Sequence, residues 1–138
     1  MLRVRIQRAC NEQDQPSDDT FATWAAATLP HLDYPAELSL RLVNDAESRQ
    51  LNAQYRQQDK ATNVLSFPAE SDAMIRELLA EAGEPVPLGD LVICVPVVVR
   101  EAEEQGKAVQ HHWAHMLIHG VLHLVGFDHQ LPAEAEKM

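Results

Sequence analysis

Cysteine is nearly absent from this chain: Cys10 and Cys94 are the only two in 138 residues, and they lie far apart in the sequence. Two thiols so placed exclude a disulfide-stapled scaffold and suit a reduced, cytoplasmic compartment. Long apolar runs are absent as well. None approaches the roughly 20 residues that a membrane span needs, so no membrane partner is expected. The opening residues, Met-Leu-Arg-Val-Arg-Ile-Gln-Arg, thread charge through their apolar positions and contain no secretory core. Positive charge is scarce: 11 Lys and Arg face 21 Asp and Glu, for a formal net charge of −10. A balance of that sign argues against bulk nucleic-acid binding, which usually leaves a basic footprint. Two local basic groups remain, Arg3, Arg5 and Arg8, and Arg41, Arg49, Arg56 and Lys60. Solvated surface charge explains them equally well. Aromatic residues make up only 5% of the chain, so no stacking platform for single strands is legible, and Tyr55 and Phe67 carry no assignment from sequence.

What is present suits one folded unit over residues 1–138. Hydrophobic residues are 46% and charged residues 23% of the chain, ordinary values for a globular protein long enough to bury a single core. Residues 2–8 alternate apolar and polar and predict a half-buried strand. Ser17 or Asp18 predicts the cap of a helix to about Thr28, and Leu38, Leu40 and Leu42 predict a second strand over 37–43. Asn44 or Asp45 caps a helix to Tyr55 or Arg56, with Glu47 in the third position of a capping box. Thr62–Phe67 reads as a short strand stopped by Pro68. Residues 69–87 read as a mobile excursion with at most a helical turn at Met74–Leu79. Leu88–Cys94 is the most apolar strand and is expected to be central. Pro96 opens a helix at a tolerated position, the histidine-rich helix follows, and Leu131–Glu136 starts one more. Strands mixed with helices in this order predict an α+β fold, a small mixed β-sheet packed with helices.

Of seven histidines, six fall between His111 and His129. His119, His123 and His129 are spaced H-x3-H-x5-H. Residues four apart share a helix face, so His119 and His123 can share one metal ion. Gly126 is expected to end that helix in the left-handed conformation, and the turn through Phe127-Asp128 to return His129 to the same ion. Three imidazoles leave a fourth position open, the mark of a catalytic rather than a structural zinc. A non-catalytic zinc clip is the competing reading, but it needs a fourth protein ligand. His115, one turn before His119, is a ligand, a packing residue or a substrate-side residue; His111 and His112 are expected at the solvated start of the helix. The spacing is similar to the metzincin motif H-E-x-x-H-x-x-G-x-x-H, except that Gly120 stands where those proteases keep their general base. The metal cradle is present and the peptidase carboxylate is not.

The run His115-Met-Leu-Ile-His-Gly-Val-Leu-His-Leu-Val-Gly-Phe-Asp-His129 resembles the signature of the YbeY family of bacterial endoribonucleases. Leu51–Lys60 leading into Thr62-Asn-Val-Leu-Ser-Phe-Pro68, and Leu88-Gly-Asp-Leu-Val-Ile-Cys94, resemble it in order and spacing too. The resemblance implies a mixed sheet packed with helices and one Zn2+ ion held by His119, His123 and His129. It implies single-strand-specific RNA cleavage, with roles in 16S rRNA 3′-end maturation and 70S ribosome quality control. Single-stranded RNA, 16S rRNA above all, and the ribosome or a ribosomal protein are therefore the implied partners. It also implies that Arg56 is a functional arginine of the cleft; read from the residues alone, Arg56 is as well explained by a surface ion pair with Asp59. Three features depart from the family pattern: Asn63 replaces a usual aspartate, Phe127 a usual tyrosine, and the family tends to carry a longer C-terminal helix. Asp128 and Asp90 are candidates for a general base, and Ser66 and Thr62 for substrate contacts, with none singled out. Two rival functions remain, a metal-dependent hydrolase of another substrate and a ribosome-associated zinc-binding protein without nuclease turnover.

Overall fold

Four strands and five helices follow one another along the chain in a computed structural model, which describes all but residues 1, 12–14, 31, 33, 70–72 and 130–138 and the side chains of 127–129. β1 (Leu2–Arg8) and β2 (Ala36–Val43) flank α1 (Asp18–Thr28). α2 (Asp45–Arg56) and β3 (Val64–Pro68) come next, then α3 (Ala73–Glu81), β4 (Val86–Cys94), α4 (Val95–Glu104) and α5 (Val109–His129). The strands form one sheet in the order β1-β2-β4-β3. β1, β2 and β4 run parallel, and β3 pairs antiparallel to β4 at the edge. This is the mixed sheet of an α+β fold, with β4 in the interior as its apolar run predicts.

Period-two alternation builds the sheet faces. Leu38, Leu40, Leu42, Leu91 and Ile93 point to one side and meet Phe21 and Ala25 of α1, Val95 and Val98 of α4, and Trp113, Leu117, Val121 and Leu124 of α5. Phe21 meets Trp113 edge to face at 5.7 Å between ring centroids. Val43, Leu65, Val92 and Cys94 point to the other side, where Leu51, Phe67 and Val97 pack on them. Burial pushes the Cys94 thiol up to about 11.

Local signals set most helix starts. The Ser17 hydroxyl accepts the Thr20 N–H at 3.2 Å, and the Asn44 side chain accepts the Glu47 N–H at 3.0 Å. The reciprocal half of the expected capping box is missing, because the Glu47 carboxylate takes a two-point bond from Arg41, at 2.5 and 3.0 Å. A charged fork satisfies a carboxylate better than one backbone N–H does. The expected excursion over 69–87 is also corrected: nine residues of it form α3, and β4 begins at Val86, two residues earlier than its apolar run suggests.

Leu88 explains that early start. Glu37 pairs with Pro87 and Leu38 with Gly89, so Leu88 is an extra residue on β4 and the strand bulges there. Gly89 then adopts φ +141°, and a Cβ on it would lie 2.5 Å from the Phe67 carbonyl oxygen and 3.0 Å from Leu124 Cδ2. Backbone strain and overpacking add at this point. Gly89→Ala is therefore expected to cost on the order of 3 kcal/mol of stability, read as a lower urea midpoint at unchanged slope. An unchanged midpoint would show that β3 and β4 can separate without loss.

Candidate active site

α5 lays Trp113, Met116, Leu117, Val121 and Leu124 into the core and turns part of its histidine row outward. His111, His115 and His119 are exposed and His123 is half-buried. His115 and His119 stack, with centroids 5.1 Å apart and planes within 20°. Gly120, between the two expected ligands, faces inward: a Cβ there would lie 2.9 Å from Leu91 Cδ2 and 3.5 Å from Val64 Cγ2. The position that a metzincin gives to its catalytic glutamate is here pressed against the sheet.

Arg56 closes α2, and the chain leaves it through Gln57 in the left-handed conformation, φ 57°. The loop that follows is stitched to two buried polar residues of α2. Ser48 Oγ donates to the Thr62 carbonyl at 2.9 Å and accepts the Thr62 N–H at 3.0 Å. Asn52 Nδ2 donates to the Lys60 carbonyl at 2.9 Å. Asp59, the carboxylate expected to pair with Arg56, is instead held by Arg49 at 2.6 and 3.0 Å. The Arg56 charge acts on His123. Burial lowers the His123 pKa, and the neighbouring charges of Arg56 and His119 lower it further. Burial, with His119, Lys107 and His112 next, lowers that of His115 too. A neutral imidazole is the form that binds a metal, so the donor chemistry of His123 fits a zinc ligand.

His129 is placed differently from expectation. α5 continues through Gly126 to His129, so Gly126 does not end the helix and no turn follows it. Ten helical residues rise about 15 Å, which separates His129 from His119 along the axis. Among the described residues no three His, Cys, Asp or Glu side chains come together to hold one ion. The side chains of His129, Phe127 and Asp128 lie outside the described residues, as does the short helix expected from Leu131. His119 and His123 thus share one face of α5, and the Arg56 charge is near enough to act on His123. A three-histidine site requires the chain to leave the helix after Gly126.

The family model described as Endoribonuclease YbeY matches residues 7–138. The chain belongs to that family. An endoribonuclease YbeY of Pseudomonas fluorescens is 51% identical over 139 aligned residues, covering 100% of this chain and 86% of that protein. One from Pseudomonas entomophila is 49% identical, covering 100% of this chain and 83% of that protein. The solution structure of TM1509 from Thermotoga maritima shares the fold, with a TM-score of 0.58 at 23% identity over 91% of this chain and 73% of that one.

Within the YbeY pattern, the remaining candidates fall in different places. Asp90 lines an open cavity of about 760 Å³ on the sheet face away from α5, with Arg5, Arg41, Tyr55 and Phe67. Tyr55 is exposed there and meets the Phe67 ring edge-on at 5.1 Å. Ser66 is buried in β3, and the Thr62 backbone is taken by Ser48. The two basic groups are largely neutralised: Arg5 lies 3.4 Å from Glu37, Arg8 2.6 Å from Asp18, and Arg41 and Arg49 hold Glu47 and Asp59.

One expectation is reversed outright. His112, expected in solvent, is buried, and its Nε2 lies 2.9 Å from Glu101 Oε1 of α4. Asn63 Nδ2 donates to the same carboxylate at 3.2 and 3.3 Å. Nothing in the types of Ser48, Asn52 or His112 marks them as buried, and nothing marks Asn63 and Glu101 as their half-buried partners. The only signal is helical spacing: Ser48 and Asn52 lie four apart, as does the inward pair His112 and Met116.

Proposed function

We propose that this chain is a zinc-dependent endoribonuclease that cuts single-stranded RNA in 16S rRNA 3′-end maturation and 70S ribosome quality control. It would act in the cytoplasm, in contact with the ribosome or a ribosomal protein. One observation carries the reading: His119 and His123 lie one turn apart on the same face of α5, where two imidazoles can share one ion. The name borne by relatives half identical over the whole chain supports the reaction class.

His119 and His123 would hold the ion, with His129 as the third donor. Zinc, when bound, supplies a Lewis acid for the phosphate and a water made nucleophilic near neutral pH. The rest falls to the protein. Arg56 presents a planar fork of N–H donors that fits two phosphate oxygens and stabilises the charge that builds on them as the P–O bond breaks. Among the described residues Arg56 has no carboxylate partner to give up first, since Arg49 holds Asp59. Tyr55, exposed one residue before Arg56, offers a ring on which a base can stack. An unpaired strand can bend past these groups, whereas a rigid duplex holds its phosphates and bases apart.

The test uses a labelled single-stranded RNA and three samples: protein as purified, protein stripped with a chelator, and stripped protein given zinc again. Cleavage in the first and third only is the expected result. Cleavage that survives stripping would refute the zinc dependence, and none in any sample would refute the nuclease.

A further inference from the structure

The Glu101 carboxylate is the one acidic group that α4 shares between the two sides of the site. On the α5 side it meets His112 Nε2 at 2.9 Å, with the ring almost wholly buried. A carboxylate only accepts, so Nε2 is the donor, and the Nδ1 atom of the same ring has no partner among the described residues. On the β3 side it accepts from Asn63 Nδ2. Asn63 is itself pinned: its side-chain oxygen accepts the Val64 N–H at 2.7 Å and its carbonyl accepts the Cys94 N–H at 2.9 Å. It stands directly after Thr62, the end of the loop that Ser48 and Asn52 hold behind Arg56.

His112 also begins a row of near-parallel rings. It stacks on His115 at 6.3 Å with planes within 11°, and His115 stacks on His119 at 5.1 Å. The buried ring is held by its bond to Glu101, and its two neighbours are exposed. Orientation therefore passes outward from the fixed ring, each stacked pair being worth about 1 kcal/mol.

We propose that Glu101 is a positioning residue of this site: held between His112 and Asn63, it sets the histidine row of α5 in register with the loop that leads from Arg56 into β3. The amide at position 63 matters to this. An aspartate there would face Glu101 at hydrogen-bond distance, and two carboxylates so close cannot both stay ionised. Asn63 donates instead, so Glu101 meets a hydrogen-bond donor on each side. The inference rests on the ribonuclease reading for its effect on turnover, but not for its effect on the rings.

Two variants of the full-length chain test it. Glu101→Ala removes the acceptor. Glu101→Gln keeps Oε1, the atom that receives both His112 and Asn63. The ring resonances of the histidines are recorded on metal-free protein, and steady-state RNA cleavage on zinc-loaded protein. Glu101→Ala is expected to shift the resonances of His115 and His119 as well as His112, and to lower kcat at least about tenfold with KM within about twofold. Glu101→Gln is expected to restore both to near the wild-type values. If Glu101→Ala moves His112 alone and each folded molecule turns over as the wild type does, the proposal fails and the network is merely structural. If the wild type cuts no RNA, the ribonuclease reading fails, and the rings still decide this one. Should Glu101→Ala not fold, Asn63→Ala removes the strand-side donor alone and is judged by the same readouts.

Discussion

Cleavage of a labelled single-stranded RNA is expected to fall about 100- to 1000-fold in Arg56→Ala, with zinc binding intact, and to vanish together with zinc binding in His119→Ala. The two losses have different origins. Arg56 holds no place in the donor set; its part is to meet charge that grows in the transition state, and one such donor is worth about 3–4 kcal/mol. Most of the loss should appear in kcat rather than KM, because the bond to phosphate strengthens as the reaction proceeds. Arg56→Lys should recover only part of it, since an ammonium supplies charge without the two-point fork. His119→Ala removes one of two neighbouring donors on the exposed face of α5, so metal titration by calorimetry separates it from Arg56→Ala. Undiminished cleavage by Arg56→Ala would return this arginine to the solvated surface. Equal loss of zinc by both variants would mean that Arg56 supports the metal site and not the substrate.

Gly120→Glu, which writes the protease motif into this helix, is expected to unfold the protein rather than to confer a new activity. The reason lies in where α5 points that residue. Its Cβ would already press on Leu91 Cδ2 at 2.9 Å and Cδ1 at 3.2 Å, with Val64 Cγ2 at 3.5 Å. A carboxylate extending further would enter the interface of α5 with β3 and β4, amid fully buried Leu91, Ile93 and Leu117. Overpacking costs about 1–3 kcal/mol, and an unpaired polar group buried there several more. Together they reach the whole stability of a domain this size, about 5–15 kcal/mol. Gly120→Ala is the control. It adds only a methyl against the ends of flexible side chains, gains about 1 kcal/mol of helix propensity, and should stay within about 1 kcal/mol of wild type. Thermal melting of the two variants decides the matter. A Gly120→Glu protein that melts like wild type would place position 120 at the surface and reopen the comparison with the metallopeptidases.

Residues near one another in the chain were legible beforehand. The alternation of Leu38, Leu40 and Leu42, the caps at Ser17 and Asn44, Pro96 at the start of α4 and the shared face of His119 and His123 all follow from periods of two and 3.6. Those periods belong to a single segment and need no partner. Gly126 is the exception: glycine permits a helix to end but does not compel it, and α5 runs on through it.

What only the tertiary structure decided lies between segments. It placed β3 antiparallel at the sheet edge, bulged β4 at Leu88 so that Gly89 meets Phe67, and gave Glu47 to Arg41 and Asp59 to Arg49. It buried His112 against Glu101 and brought the Arg56 charge to His123 from a distant part of the chain. The sequence by itself determined which residues could serve as ligand, donor or cap. Which of them meet depends on how the helices pack across the sheet, and that packing is settled by the burial of the whole core at once.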